Sequence, residues 1–171
     1  MFGFDPPRVI KSELFAKLPE EFHEGSDQRL DKKSRSKKHS FLEGPSFDRE
    51  GNLYVTDIPN GRIFRIDVNG AFKLVAKYDG EPNGLKIHKD GRIFIADHFH
   101  GIMLLDPDSG TVRPFWPNRL KERFKGPNDL IFASNGDLYF TDQGATGLHD
   151  PSGRVYRLSV DGQLTCLIDT V

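Results

Sequence analysis

One unit of sequence occurs three times in register along this chain. Leu42-Glu43-Gly44-Pro45 followed by Gly51-Asn52-Leu53-Tyr54-Val55-Thr56-Asp57 returns as Pro82-Asn83-Gly84-Leu85 with Gly91-Arg92-Ile93-Phe94-Ile95-Ala96-Asp97. It returns again as Pro127-Asn128-Asp129-Leu130 with Gly136-Asp137-Leu138-Tyr139-Phe140-Thr141-Asp142. Glu43, Asn83 and Asn128 share one phase and Asp57, Asp97 and Asp142 another, at spacings of 40 and then 45 residues. A period of this length filled with short strands marks the blades of a β-propeller.

Each unit reads as four strands. In the first, Ser46-Phe47 closes an inner strand, Leu53 to Thr56 returns, and Arg62 to Ile66 and Ala71 to Ala76 follow, divided by Asp-Gly and Asn-Gly type turns. Apolar runs of this length rich in Val, Ile, Phe and Tyr are hairpin signals. The fold class is therefore all-β, with blades at about 41–80, 81–125 and 126–171. Residues 1–40 precede them, and Arg8-Val9-Ile10 through Leu14-Phe15-Ala16-Lys17-Leu18 is a strand candidate. Residues 26–39 form a polar, basic run without helix or strand period, expected as a loop that overhangs the propeller as a lid.

If the inner strands descend from an upper face, that face gathers Glu43, Asn83 and Asn128, the loop His98-Phe99-His100, the segment 143–152 and the linker 116–125. Asp57, Asp97 and Asp142, recurring in every unit, read as loop-shaping hydrogen-bond acceptors rather than catalysts. Trp116 reads as packing between blades, and the only cysteine, Cys166, as a core-facing thiol on a strand.

Charge narrows the partners. Across 171 residues the net charge is −1 and the pI about 6.6, so no overall field favours nucleic acid or an anionic membrane. The basic run reads as a solvated charge cluster. Without a basic region leading an apolar stretch at Met1-Phe2-Gly3-Phe4, and without a run long enough to span a bilayer, a cytoplasmic protein with a small-molecule partner is expected.

Three oxygen-bearing side chains converging on an axis suit a hard cation, since Ca²⁺ takes carboxylate and amide oxygens. Asn before Gly is also an ordinary turn signal, and the repetition in phase is what points to a polar axial site. Histidines 98, 100 and 149 lie on the same upper loops, where such residues are often passive.

Leu42-Glu43-Gly44-Pro45-Ser46-Phe47-Asp48, Pro82-Asn83-Gly84-Leu85 and Gly126-Pro127-Asn128-Asp129-Leu130 resemble the gluconolactonase / senescence-marker-protein (regucalcin) / luciferin-regenerating family over roughly residues 41–171. The resemblance implies a six-bladed propeller with a divalent metal in its channel, Ca²⁺ or Zn²⁺, with Mn²⁺ or Mg²⁺ as alternatives, and hydrolysis of a lactone or related ester. By the same resemblance Glu43 and Asn128 match metal ligands and Asn83 a substrate-side residue, and His98 and His100, from their place on the upper loop, are further substrate-side candidates.

The family pattern continues with a fourth-blade Asn-Gly and a fifth-blade Asp-Gly, the latter including the candidate general base. This sequence ends at Val171, so an incomplete chain is expected, with two blade flanks, including Leu53-Tyr54-Val55 and Leu138-Tyr139-Phe140, exposed for self-association. A non-catalytic propeller that binds a protein or ligand through its upper loops is the alternative. The Glu43 carboxylate is the feature that separates the two readings.

Overall fold

The computed structural model describes residues 7–23, 39–119 and 122–171. Three antiparallel four-stranded sheets follow one another along the chain. The first holds β1 (Leu42–Phe47), β2 (Leu53–Asp57), β3 (Arg62–Ile66) and β4 (Phe72–Lys77). The second holds β5 (Pro82–Ile87), β6 (Ile93–Asp97), β7 (Gly101–Asp106) and β8 (Thr111–Trp116). After a two-stranded ladder of β9 (Asn118–Arg119) and β10 (Glu122–Arg123) comes the third, with β11 (Pro127–Phe132), β12 (Leu138–Asp142), β13 (Arg154–Leu158) and β14 (Leu164–Ile168). Strand order within each sheet is the order in the chain, the meander of a propeller blade. Among the described residues no helix is long and apolar enough to cross a membrane.

Turn chemistry fixes these hairpins. The Asp48 carboxylate accepts hydrogen bonds from the Glu50 and Asn52 amides at 2.9 Å each, and Asp67 does the same for Asn69 and Ala71. Such local acceptors replace ladder partners where the chain reverses.

Period-two alternation then assigns each side chain to a neighbouring blade. Every residue of β6 is buried, because this strand is covered on both faces. Ile93 and Ile95 join Tyr54, Ile63, Leu85, Met103 and Leu105 against the first blade. Phe94 and Ala96 turn the other way, into a cluster with Ile102, Leu104, Leu130, Leu138, Phe140 and Tyr156 against the third. Edge-to-face contacts of Phe94 with Phe115 and Phe132, at 5.0 and 4.9 Å between centroids, add to the area term there. Trp116 packs on the rim of this cluster, as its sequence context indicates. Cys166 packs there too but is only half-buried.

The segment before the first blade departs from expectation. Residues 7–19 form no strand, and a single 3₁₀ turn spans Glu20–Phe22. This segment lies across the face of the first sheet and contributes side chains instead of ladder bonds. Ala16, Leu18 and Phe22 pack on Val55, Phe64 and Ile66, while Val9, Ile10, Leu14 and Phe15 remain exposed. The expected open flank on blade one is thereby covered: Val55 faces this segment and Tyr54 the second blade, at 6% and 5% exposure. On the third blade Leu138 and Phe140 point inward, and the outward face instead shows Ile131 and Leu167. Of the basic run proposed as a lid, residues 26–38 lie outside the described residues.

At the lower end of blade three, burial pushes the Asp137 carboxyl up, but hydrogen bonds from Arg157, Asn135 and the Val160 amide, with the Arg157 charge, hold it below the usual carboxylate range. The Arg157 guanidinium lies 2.6 Å from it. A carboxylate depressed on folding contributes stability that is present above its unfolded pKa and is lost as pH falls through the folded value. Thermal melts of the wild-type chain and Asp137→Asn should therefore differ most near neutrality and converge below about pH 4. A gap that stays constant down to pH 2 would contradict this assignment.

Candidate functional site

Every inner strand is irregular at the same place. Pairing of β1 with β2 slips between Glu43 and Ser46, of β5 with β6 between Pro82 and Leu85, and of β11 with β12 between Pro127 and Leu130. In each case two residues of the inner strand face one of its partner, which is a bulge. Asn83 and Asn128 lie in these bulges, where the chain bends and re-aims a side chain, and Glu43, at the equivalent position, is the paired residue directly before its own. All three are half-buried.

The bulged strands lie against one another. A Cβ on Gly44, whose φ is +56°, would come within 2.5 Å of the Asn83 carbonyl oxygen and 2.6 Å of the Leu85 nitrogen. A Cβ on Gly84 would meet Asp129 Cα at 2.7 Å and the Asn128 carbonyl oxygen at 2.9 Å. The backbone following Glu43 thus touches the backbone of Asn83, and that following Asn83 touches Asn128. Thr56 Oγ1, fully buried on β2, donates to the Asn83 carbonyl at 2.6 Å and pins the second bulge to the first blade.

The in-phase aspartates shape this end of the blades, as their repetition indicates. All three are fully buried. Asp57 accepts from the Phe41 amide at 2.9 Å and from Arg62 Nε at 2.8 Å. Asp142 accepts from the Gly126 amide at 2.7 Å. Asp97 accepts from the amides of Phe99 and His100 at 2.9 and 2.8 Å and from the Tyr78 hydroxyl at 2.7 Å. Burial beside this carboxylate pushes the Tyr78 hydroxyl well above the ordinary phenol range, so Tyr78 serves as a neutral donor.

The loops after the second strands return to the same rim. Ile58, His98 and Gly144 donate to the carbonyls of Phe41, Glu81 and Gly126, the residues leading into the three inner strands. His98 packs over Gly126, with Nδ1 at 2.5 Å from where a Cβ would stand. His98 is thereby brought to the approach to Asn128. His100 is exposed, and its Nε2 is engaged 2.6 Å from the Asp79 carbonyl, so it ties two loops together. His149 is exposed in the loop beyond Gly144. Arg62, Thr56 and Tyr78 carry no motif that singles them out, although Thr56 and Thr141 share a repeat phase.

The donor set at the rim is hard: one carboxylate and amide oxygens. Among the described residues no three His, Cys, Asp or Glu side chains gather to hold an ion. Glu43 and Asn128 fit an oxygen-preferring divalent cation as part of a shell, not as the whole of it.

Residues 41–171 match the family described as the SMP-30/gluconolactonase/LRE-like region. The chain is 32% identical over 145 residues to a gluconolactonase of Zymomonas mobilis, covering 71% of this chain and 41% of that protein. It is 31% identical over 133 residues to lactonase drp35 of Staphylococcus aureus, covering 74% of this chain and 40% of that one. The fold is similar to a gluconolactonase from Xanthomonas campestris, with a TM-score of 0.67 and 24% identity over 76% of this chain and 48% of the other. It is also similar to a calcium-binding protein, regucalcin, from Agrobacterium tumefaciens, at TM-score 0.63 and 20% identity over 77% and 44% of the two chains. The chain spans less than half the length of these relatives. With three in-register blades of all-β meander and the Glu-Gly-Pro, Pro-Asn-Gly and Pro-Asn-Asp bulges at one rim, it belongs to the SMP-30/gluconolactonase/LRE-like family.

Proposed function

We propose that this chain carries part of the site of a metal-dependent lactone hydrolase, acting on a small cyclic ester. The supporting observation is the placement of Glu43, Asn83 and Asn128 on three adjacent bulged strands, in a family whose curated members include lactonases. Glu43 contributes a carboxylate and Asn128 an amide oxygen to a divalent cation, Ca²⁺ by the hardness of the set. A cation bound there supplies Lewis acidity toward a lactone carbonyl and toward water. Asn83, between the two, faces the substrate, with His98 at the approach to Asn128. Neither Asp57, Asp97 nor Asp142 is free to act as base, because each is fully buried behind the rim.

One carboxylate and one amide leave most of a Ca²⁺ shell to water, so the chain should bind Ca²⁺ weakly, with a Kd above micromolar, and Glu43→Gln should weaken it further. Calorimetric titration with CaCl₂ into the millimolar range measures both. In a protein that carries this chain with a complete ring, Glu43→Gln and Asn128→Ala should each abolish chelator-sensitive aldonolactone hydrolysis. Hydrolysis that survives both substitutions would sink the lactonase site proposed here.

A further inference from the structure

We propose that Asp57 and Asp142 are positioning residues for Glu43 and Asn128, a role that Asp97 of the middle blade does not share; this rests on the metal reading above. Each of the two carboxylates grips the backbone amide that lies two residues ahead of the candidate ligand. Asp57 holds Phe41 N–H at 2.9 Å, before Leu42-Glu43, and Asp142 holds Gly126 N–H at 2.7 Å, before Pro127-Asn128. One paired residue, Pro127, separates this anchored point from the bulge in the third blade, and two, Leu42 and Glu43, separate it in the first. A bulge can swivel unless its entry is fixed, and a buried, charge-assisted hydrogen bond fixes it.

The middle blade supplies the contrast. Asp97 occupies the same phase and is equally buried, yet its oxygens go to Phe99 N–H, His100 N–H and the Tyr78 hydroxyl, leaving the entry to Asn83 ungripped by it. Asn83 is the one of the three that the metal reading does not use as a ligand, and its backbone is held from another blade by Thr56. Grip by the in-phase aspartate thus follows the assignment of metal ligands blade by blade.

Asp142 shows the grip with least else attached. Its Oδ2 is buried with no hydrogen-bond partner among the described residues. Arg154 faces it in the ladder, as Arg62 faces Asp57, but Arg154 donates to the Tyr156 hydroxyl at 3.2 Å instead. The Gly126 amide is therefore the contact that Asp142 serves, and the oxygen of an asparagine could serve it as well.

The test is calorimetric Ca²⁺ titration, paired with thermal melts, of wild type, Glu43→Gln, Asp142→Ala, Asp142→Asn and Asp137→Asn. Loss of an outer-shell support costs metal affinity about tenfold or more. Asp142→Ala should weaken Ca²⁺ binding by about that factor, and Asp142→Asn should restore it to within about twofold of wild type. Asp137→Asn perturbs the opposite end of β12, so it should lower the melting temperature without moving the affinity. Wild-type affinity in Asp142→Ala, alongside weakened binding in Glu43→Gln, would overturn the positioning role while leaving the metal reading intact. Equal weakening by Asp137→Asn would likewise overturn it, by reducing the effect to general instability. Absence of any Glu43-dependent binding in the wild-type chain would remove the metal reading and this assignment together.

Discussion

Replacing Arg62 by alanine should lower the melting temperature by roughly 6–20 °C, since breaking a buried ion pair costs about 3–5 kcal/mol and a chain of this size moves about 2–4 °C per kcal/mol. The guanidinium is 5% exposed and lies 2.6 Å from the fully buried Asp57. It also donates to the Phe22 carbonyl and Ser40 Oγ, at 2.9 Å each. The rings of Phe22 and Phe64 flank it, at 5.6 and 5.3 Å from the guanidinium carbon. One side chain therefore neutralises Asp57 and pins the segment 16–22 over the first blade. Arg154→Ala provides the comparison: its ladder position is the same, but its hydrogen bond goes to a tyrosine hydroxyl, and the cost should be about 1 kcal/mol. Circular dichroism melts measure the two shifts. Limited proteolysis should show cleavage before residue 39 accelerated in Arg62→Ala alone. Equal, small shifts in both variants would mean that the buried pair contributes nothing beyond an ordinary hydrogen bond.

That contrast also marks where sequence stops being informative. The repeat phase predicts nine of the twelve blade strands to within a residue, because hairpin length and alternation are local properties, whereas the three inner strands begin three or more residues before their apolar runs. It predicts that the three aspartates shape loops, because they recur. It says nothing of their different partners, since Arg62, Gly101 and Arg154 stand at one ladder position in the three blades. The Tyr78 hydroxyl reaches Asp97 from the linker between blades, and Thr56 reaches the Asn83 carbonyl across an interface. These contacts depend on how blades are set side by side, which no local pattern encodes.

The N-terminal segment departs from its strand pattern for a related reason. Its apolar residues satisfy a strand pattern, yet the segment pairs with neither edge of the first sheet, β1 or β4. Here an unoccupied face was available, and side-chain burial on Phe64 and Ile66 decided the outcome. The candidate ligands were legible as a repeated phase, whereas their bulges were not, because a bulge is a mismatch between two strands and appears only once the register is known.

Gly44→Ala should be a severely damaging single methyl to add beside the candidate ligands. The backbone there has φ +56°, where a side chain costs about 1–2 kcal/mol, and overpacking against the Asn83 carbonyl and Leu85 nitrogen adds about 1–3 kcal/mol. Those neighbours are backbone atoms of β5, so they cannot rotate away; β1 must instead withdraw from β5, carrying Glu43 with it. Gly91→Ala is the matched control, with φ +92° and nothing among the described residues within 4 Å of the added carbon. It incurs the conformational part of the cost without moving a strand. Thermal melts should rank Gly44→Ala below Gly91→Ala, and Ca²⁺ titration should show weakened binding only in the former. Gly84→Ala tests the next interface: its backbone is unstrained, but the added carbon would press on Asp129 Cα and the Asn128 carbonyl. It should therefore disturb the Asn128 side of the rim through packing alone. If Gly44→Ala kept wild-type affinity while losing stability, Glu43 would be placed independently of the β1–β5 contact, and the close packing of the inner strands would be structural without being part of the site.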